Sequence, residues 1–335
     1  MLAYLDWSNQ SDHKDWSGRN FHIVSAIRQQ KIGRRTAGAN VWLSRADEAN
    51  AETLSQLESR TLSYEVLESE DAVGREMLAE IEAASRSKEG PLVVIILGGR
   101  GAQALHRIIG ELAKTDQIDS LLGRLHVFTQ DALAPLRMDN GLSFVRDFER
   151  LLGPDFFRKV LSFNSIKTDA AELEGELVRY VEQLDALGGI DLFFLGLGPE
   201  AGGASHLAYI KPGSGAKVND LAGIIPISES ILEHHITKFK AGGTVVSEVD
   251  EAECRSAKQI LTLGPAAIIK ARRIVQSIVD ASTAPAKKES YRQLLNTEIS
   301  SNVSEREQQL DKNPGLWLRL HPNTRSLVLA DVLEN

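Results

Sequence analysis

The chain has 335 residues, and its 38 Lys plus Arg against 46 Asp plus Glu give a formal net charge of −8. Apolar residues at 42% and charged residues at 25% are ordinary globular values, which argue against wholesale disorder. The acidic balance argues against a nucleic-acid binder that works by neutralising phosphates. Cys254 is the single cysteine, so neither an internal disulfide nor a thiolate metal cluster is available, and a reducing compartment is expected.

Residues 1 to about 60 differ from the rest. They hold Trp7, Trp16 and Trp42, with a short echo in Asp6-Trp7-Ser8 and Asp15-Trp16-Ser17. No basic stretch leads into an apolar one, so no secretory signal is visible. The basic segment from Arg19 to Leu43 suggests a helix and a strand, and fits a helix-turn-helix poorly. From residue 63 the pattern becomes regular. Ser63 to Glu68 reads as a strand. Asp71 to Ser87 reads as a helix with Val73, Met77, Ile81 and Ala84 on one face. Leu92 to Leu97 is the longest apolar run. It is far short of a membrane span and typical of a strand buried on both faces. Ala102 to Leu112 is a helix, Leu125 to Thr129 a strand, and Ser143 to Leu152 and Ala170 to Leu187 are helices. Asp191 to Leu195, Ala222 to Pro226 and Gln259 to Gly264 are further strands, and Ala266 to Val279 is expected to be helical. This alternation implies βαβ units and a mainly parallel sheet, whose ligands bind beyond the carboxyl ends of the strands. The loops after residues 97, 129, 195 and 264 are therefore the places to look for chemistry.

Four features fall there or nearby. Gly98-Gly99-Arg100-Gly101 follows a strand and opens a helix, which presents backbone N–H groups to an anion. It lacks the Lys-Ser/Thr of a nucleotide phosphate loop and the spacing of a dinucleotide fold; by itself it is also an ordinary tight turn. Asp131, just past a strand, is either a cap or a base able to take a proton from carbon. The run from Gly196 to Ala208 is a second glycine-rich turn, and it delivers His206. Imidazole can serve as acid or base near neutral pH. Lys211, Lys217, Lys287 and Lys288 can pair with phosphate, although surface solvation accounts for most such lysines. The histidines form no His-x-x-x-His pair, so no metal is expected; no cofactor is expected either.

The order of these pieces resembles the glucosamine-6-phosphate deaminase/isomerase and 6-phosphogluconolactonase superfamily, from about Tyr64 to the end. Ile96-Leu97-Gly98-Gly99-Arg100 is similar to its Gly-Gly-Thr phosphate loop, and Phe128-Thr129-Gln130-Asp131-Ala132 to its Phe-Asn-x-Asp-Glu. Gly196-Leu197-Gly198 and His206-Leu207-Ala208 with Pro212 fit Gly-x-Gly-x-Asp-Gly-His-x-Ala around an insertion. Thr262-Leu263-Gly264 resembles the family's strand-to-helix turn, and Leu318-Arg319-Leu320-His321-Pro322 its ending, closer to the deaminase branch.

The resemblance implies a Rossmann-like three-layer α/β sandwich over residues 63–335, with residues 1–62 an accessory extension packed on the core or on a neighbouring subunit. Composition and the short apolar runs imply a cytoplasmic protein with neither nucleic acid nor membrane as partner; the resemblance implies a sugar phosphate as partner, and a homo-oligomer is left open. Asp131 becomes the proton-moving base and His206 the ring-opening acid/base. Gly98, Gly99, Arg100 and Ala102 cradle phosphate, with Lys217 and Lys287 or Lys288 as cations. Four departures stand out: Arg100 replaces Thr, Ala132 replaces Glu, the Asp beside the motif histidine has no clear counterpart because Glu200 lies across the insertion, and Lys211 replaces the Glu before the proline. A lysine there suits a more anionic substrate and makes deamination doubtful. Isomerisation of a sugar phosphate leads, lactone hydrolysis is the enzymatic rival, and a non-catalytic sugar-phosphate sensor is the alternative from another class.

Overall fold

A computed structural model describes residues 32–45, 53–279, 281–282 and 284–334. The Asp-Trp-Ser echoes lie outside the described residues. The chain opens with a hairpin, β1 (Ile32–Ala37) and β2 (Asn40–Arg45), so the described part of the basic N-terminal segment is not a helix-turn-helix. There follow β3 (Ser63–Leu67), α1 (Glu70–Ser87), β4 (Leu92–Ile96), α2 (Gln103–Ala113), α3 (Asp119–Leu122), β5 (Leu125–Thr129), β6 (Asp131–Ala134), α4 (Phe144–Lys159), β7 (Ser162–Asn164), α5 (Leu173–Ala186) and β8 (Leu192–Leu195). Then come β9 (Gly198–Pro199), β10 (Ser205–His206), β11 (Asp220–Pro226), α6 (Glu229–Ala241), α7 (Glu248–Arg255), β12 (Gln259–Leu263), α8 (Pro265–Lys270) and β13 (Ile274–Ile278). The last elements are α9 (Ala286–Asn296), α10 (Val303–Lys312), β14 (Thr324–Leu329) and α11 (Ala330–Leu333).

Seven strands form one sheet in the order β3-β14-β13-β8-β4-β5-β7, every pairing parallel. Strand β4 explains why it is central. All five of its residues are buried. Val93 and Ile95 enter the core shared with α5 and α9, while Leu92, Val94 and Ile96 enter the core shared with α1, α2 and α4. That alternation places helices on both faces and gives the three-layer α/β sandwich. Helix α1 is started by Ser69, whose hydroxyl accepts from the Ala72 amide, with Glu70 and Asp71 favouring its positive end. Gly74 lets α1 approach α2 closely, since a Cβ there would lie 2.8 Å from Ala104.

A second, antiparallel sheet runs β1-β2-β11-β12-β6 and covers one side of the sandwich. The hairpin is fastened to it by the fully buried Trp42, whose indole N–H donates to the Ser214 carbonyl at 3.0 Å, and by an Arg35–Asp220 ion pair. Gly223 faces the Trp42 ring, where a Cβ would come within 2.5 Å.

One expected element is corrected. Residues 266–279 do not form a helix: α8 stops at Lys270, and β13 runs up the middle of the parallel sheet between β8 and β14. All of β13 is buried, and Ile274, Val275 and Ile278 are β-branched. Arg272 and Arg273 mark its entry, paired with Asp191 and Glu80. The apolar spacing mimics a helix only because two short elements abut. No helix among the described residues is long and apolar enough to cross a membrane.

Candidate functional site

In the parallel sheet the chain runs outward from β4 through β5 to β7 on one side, and from β8 through β13 to β14 on the other. The order reverses between β4 and β8, the position where such sheets open a crevice at the strand ends. A cleft of about 280 Å³ lies there, lined by the loops after β4, β5 and β8 and by residues from α6, β13 and α9.

The loop after β4 is built for close approach. Gly99 sits in the left-handed region (φ 75°) and starts a single 3-10 turn, Arg100–Ala102, that leads into α2. Gly98 lies against the Phe144 ring, where a Cβ would come within 2.1 Å. The Arg100 guanidinium lines the cleft while held by Glu70 at 2.6 Å.

Chain direction explains Asp131. After β5 a single residue, Gln130, separates the parallel sheet from β6 of the antiparallel one. Asp131 therefore stands at the seam of the two sheets, opposite Thr262 in register and 2% exposed. Burial pushes its carboxyl up to about 7, partly offset by the Gln130 amide, which donates to it at 2.5 Å. Its conjugate base is thus far stronger than an exposed aspartate.

The loop after β8 makes a miniature hairpin, β9 against β10, with His206 opposite Gly198. A Cβ on Gly198 would sit 1.8 Å from His206 Nε2, so only glycine leaves room for the ring. Glu200 is two residues beyond Gly198, diagonal to His206 across the strand pair, and its Oε1 lies 2.7 Å from Nδ1. That contact fixes the ring and leaves Nε2 to address the cleft. Past His206, Leu207 and Ile210 exchange backbone bonds around Ala208 and Tyr209 (φ 48° and 56°). This two-residue turn normally carries Gly or Asn, and each side chain here costs about 1–2 kcal/mol. Its reward is the Tyr209 ring, stacked on His206 with centroids 5.1 Å apart and planes 12° apart. Thr262 holds the turn by donating its hydroxyl to the Ala208 carbonyl.

Helix α6, capped by Ser228, brings Ile231, His234, His235, Lys238 and Phe239 to the cleft. His235 is buried and lowered to about 4 by desolvation, so it is neutral and serves as a strut that donates from Nε2 to the Leu142 carbonyl at 2.7 Å.

The fold thus brings together Gly98, Gly99, Arg100, Asp131, His206 and Lys287. It does not bring the others. Ala102 is buried, and its amide is bound to the Gly99 carbonyl at 3.3 Å. Lys211 Nζ donates to the Pro226 carbonyl at 2.7 Å, outside the cleft lining. Lys217 pairs with Glu307 at 2.7 Å on an exposed surface, and Lys288 is not part of the lining. Nor does the loop after residue 264 reach the cleft; Ser277 on β13 does. Sequence reasoning missed Glu200, Tyr209 and Lys238. The spacing of Ile231, His234 and Lys238 on one helical face was the available sign for α6. No three of His, Cys, Asp and Glu among the described residues are grouped to hold a metal ion.

No family model matches the chain. A glucosamine-6-phosphate deaminase of Staphylococcus epidermidis is 24% identical over 260 residues, 77% of this chain and 91% of the relative. One from Parabacteroides distasonis is 28% identical over 140 residues, 41% of this chain and 48% of the relative. Among solved structures, a monomeric glucosamine-6-phosphate deaminase superposes with a TM-score of 0.61 at 19% identity, covering 81% of this chain and 98% of its own. A 6-phosphogluconolactonase from Shewanella baltica gives 0.56 at 14% identity, covering 80% and 97%. The chain resembles the glucosamine-6-phosphate deaminase/isomerase and 6-phosphogluconolactonase superfamily in sequence and shares its fold. The two branches differ in chemistry, so the choice between them falls to the site itself.

Proposed function

We propose that the protein moves a proton between neighbouring carbons of a sugar phosphate, an aldose–ketose isomerisation by acid/base catalysis. The observation that carries this reading is the meeting of a buried carboxyl and a carboxylate-held imidazole in one cleft beside a glycine turn. The phosphate docks on the amides of the Gly98-Gly99 turn, with Arg100, Lys238 and Lys287 supplying positive charge. His206, steadied by Glu200, passes a proton to the ring oxygen as the sugar opens. Asp131 then takes the proton from the carbon beside the carbonyl and returns it to the neighbouring carbon. A carboxyl pushed up to about 7 suits this role, because it is ionised often enough to act and basic enough to pull. Lys211 supplies no charge to this scheme, so the case for a more anionic substrate loses its support.

The test is proton exchange with solvent deuterium at the carbon beside the carbonyl, followed by NMR. The substrates are fructose 6-phosphate and glucosamine 6-phosphate, with ammonia measured for the latter. Exchange by the wild type and none by Asp131→Asn is expected. Acid release from 6-phosphogluconolactone without exchange would establish the lactonase reading instead. Ligand-raised melting temperature with no turnover would establish a sensor.

A further inference from the structure

Tyr209 has no role in that scheme, yet the chain takes up an unfavourable conformation to place it. The turn that carries it puts two side-chain-bearing residues in the left-handed region, where glycine would sit without strain. Thr262, fully buried, spends its hydroxyl on the carbonyl between them. The ring lies flat on His206 and lines the cleft together with Asp131. A phenylalanine would fill the same stack and the same turn, so the packing does not call for the hydroxyl. No hydrogen bond from that hydroxyl to the protein occurs among the described residues. The ring is half-buried, and a phenol hydroxyl without a protein partner there is open to solvent or to a ligand. Here the space in front of the ring is the cleft, and the partner is therefore sought on the ligand.

We propose that Tyr209 is a third catalytic group, whose O–H donates a hydrogen bond to the substrate oxygen that becomes an oxyanion during enolisation. The inference rests on the proton-transfer reading above. In that step the C–H bond beside the carbonyl breaks and its proton goes to the Asp131 carboxylate. The bonding pair forms the new C=C, and the carbonyl π pair moves onto oxygen. The phenol keeps its own proton and only shares it, so no other reactant is required. Two features keep it a donor: burial and the nearby charge of Asp131 both push the phenol well above its usual range. A donor fixed where charge develops stabilises the transition state more than the ground state.

The discriminating variant is Tyr209→Phe, which keeps the ring, the stack and the turn. In the deuterium-exchange assay its kcat should fall on the order of 100-fold with KM within about twofold. Calorimetry supplies the second readout. A hydroxamate analogue of the enediolate of a six-carbon sugar phosphate should bind the variant on the order of 100-fold more weakly than the wild type, while fructose 6-phosphate binds both equally. If the wild type exchanges deuterium and the variant matches it in kcat and in analogue affinity, the assignment of Tyr209 is overturned and the proton-transfer reading stands. If the wild type neither exchanges deuterium nor binds the analogue, the proton-transfer reading fails and this inference falls with it.

Discussion

Asp131→Asn should make the protein more stable at pH 8 and inactive. In the folded chain burial lifts this carboxyl from 3.8 to about 7. Between those values the folded state binds more protons at Asp131 than the unfolded state does. Stability therefore falls as pH rises through that window and levels off above it. At about 1.36 kcal/mol per unit, a gap of roughly three units is worth about 4 kcal/mol at most. Asparagine carries no charge, keeps the shape and can still accept from Gln130, so the variant escapes that penalty. Thermal unfolding of both proteins at pH 5 and pH 8 isolates the effect, because every other titrating group cancels in the difference. The variant should gain about 2 kcal/mol, a few degrees, at pH 5, where part of the penalty is already in force, and more, up to roughly 10 °C in all, at pH 8. The activity of the wild type should rise with pH through an apparent pKa near 7 as the base ionises. An identical melting difference at both pH values would refute the reasoning, since it would mean that the carboxylate is compensated in the fold and is no unusual base.

Four further outcomes follow from named contacts. Glu200→Gln should cut kcat for deuterium exchange about 10- to 100-fold with KM little changed, because it removes the charge held 2.7 Å from His206, and Glu200→Asp should recover part of the loss. Gly198→Ala should cost as much activity as His206→Ala, since the new methyl occupies the imidazole's space; an active Gly198→Ala protein would show that the ring works from elsewhere. Trp42→Ala should destabilise by about 3–5 kcal/mol in urea unfolding. Deleting residues 1–62 should leave the β11 edge unpaired and the protein aggregating, and a soluble truncated chain of unchanged melting temperature would contradict this.

The sequence was readable where one local signal dominated. Strand β4 is an unbroken apolar run, and the helices α1 and α2 flanking it show one apolar face each, so the heart of the parallel sheet could be placed from its residues alone. The segment 266–279 was not, because α8 and β13 are each too short to show a period of their own. The second sheet was hidden for another reason. Its strands come from widely separated parts of the chain, and a hairpin that begins at Ile32 says nothing of a partner at Asp220–Pro226. In the site, the glycine turns announced Gly98 and His206 because the backbone demands glycine there. Lys287 lines the cleft but Lys211 and Lys217 do not, because nearness in sequence to a motif does not tell where a long side chain goes. Lys211 turns to a carbonyl at the end of β11, and Lys217 to Glu307.

The same reasoning accounts for the motif that looked incomplete. An imidazole that shuttles protons gains from a fixed carboxylate, and none stands immediately before His206 in sequence or at position 211. The glycine-rich stretch before His206 supplies it from the opposite strand. Gly202 and Gly203, both in the left-handed region, let the chain double back so that Glu200 lies diagonal to the ring. The residues that read as an insertion are therefore the turn that restores the pair. A cleft that had merely lost its chemistry would have no use for a glycine cut to the imidazole on one side and a strained turn stacking tyrosine on the other.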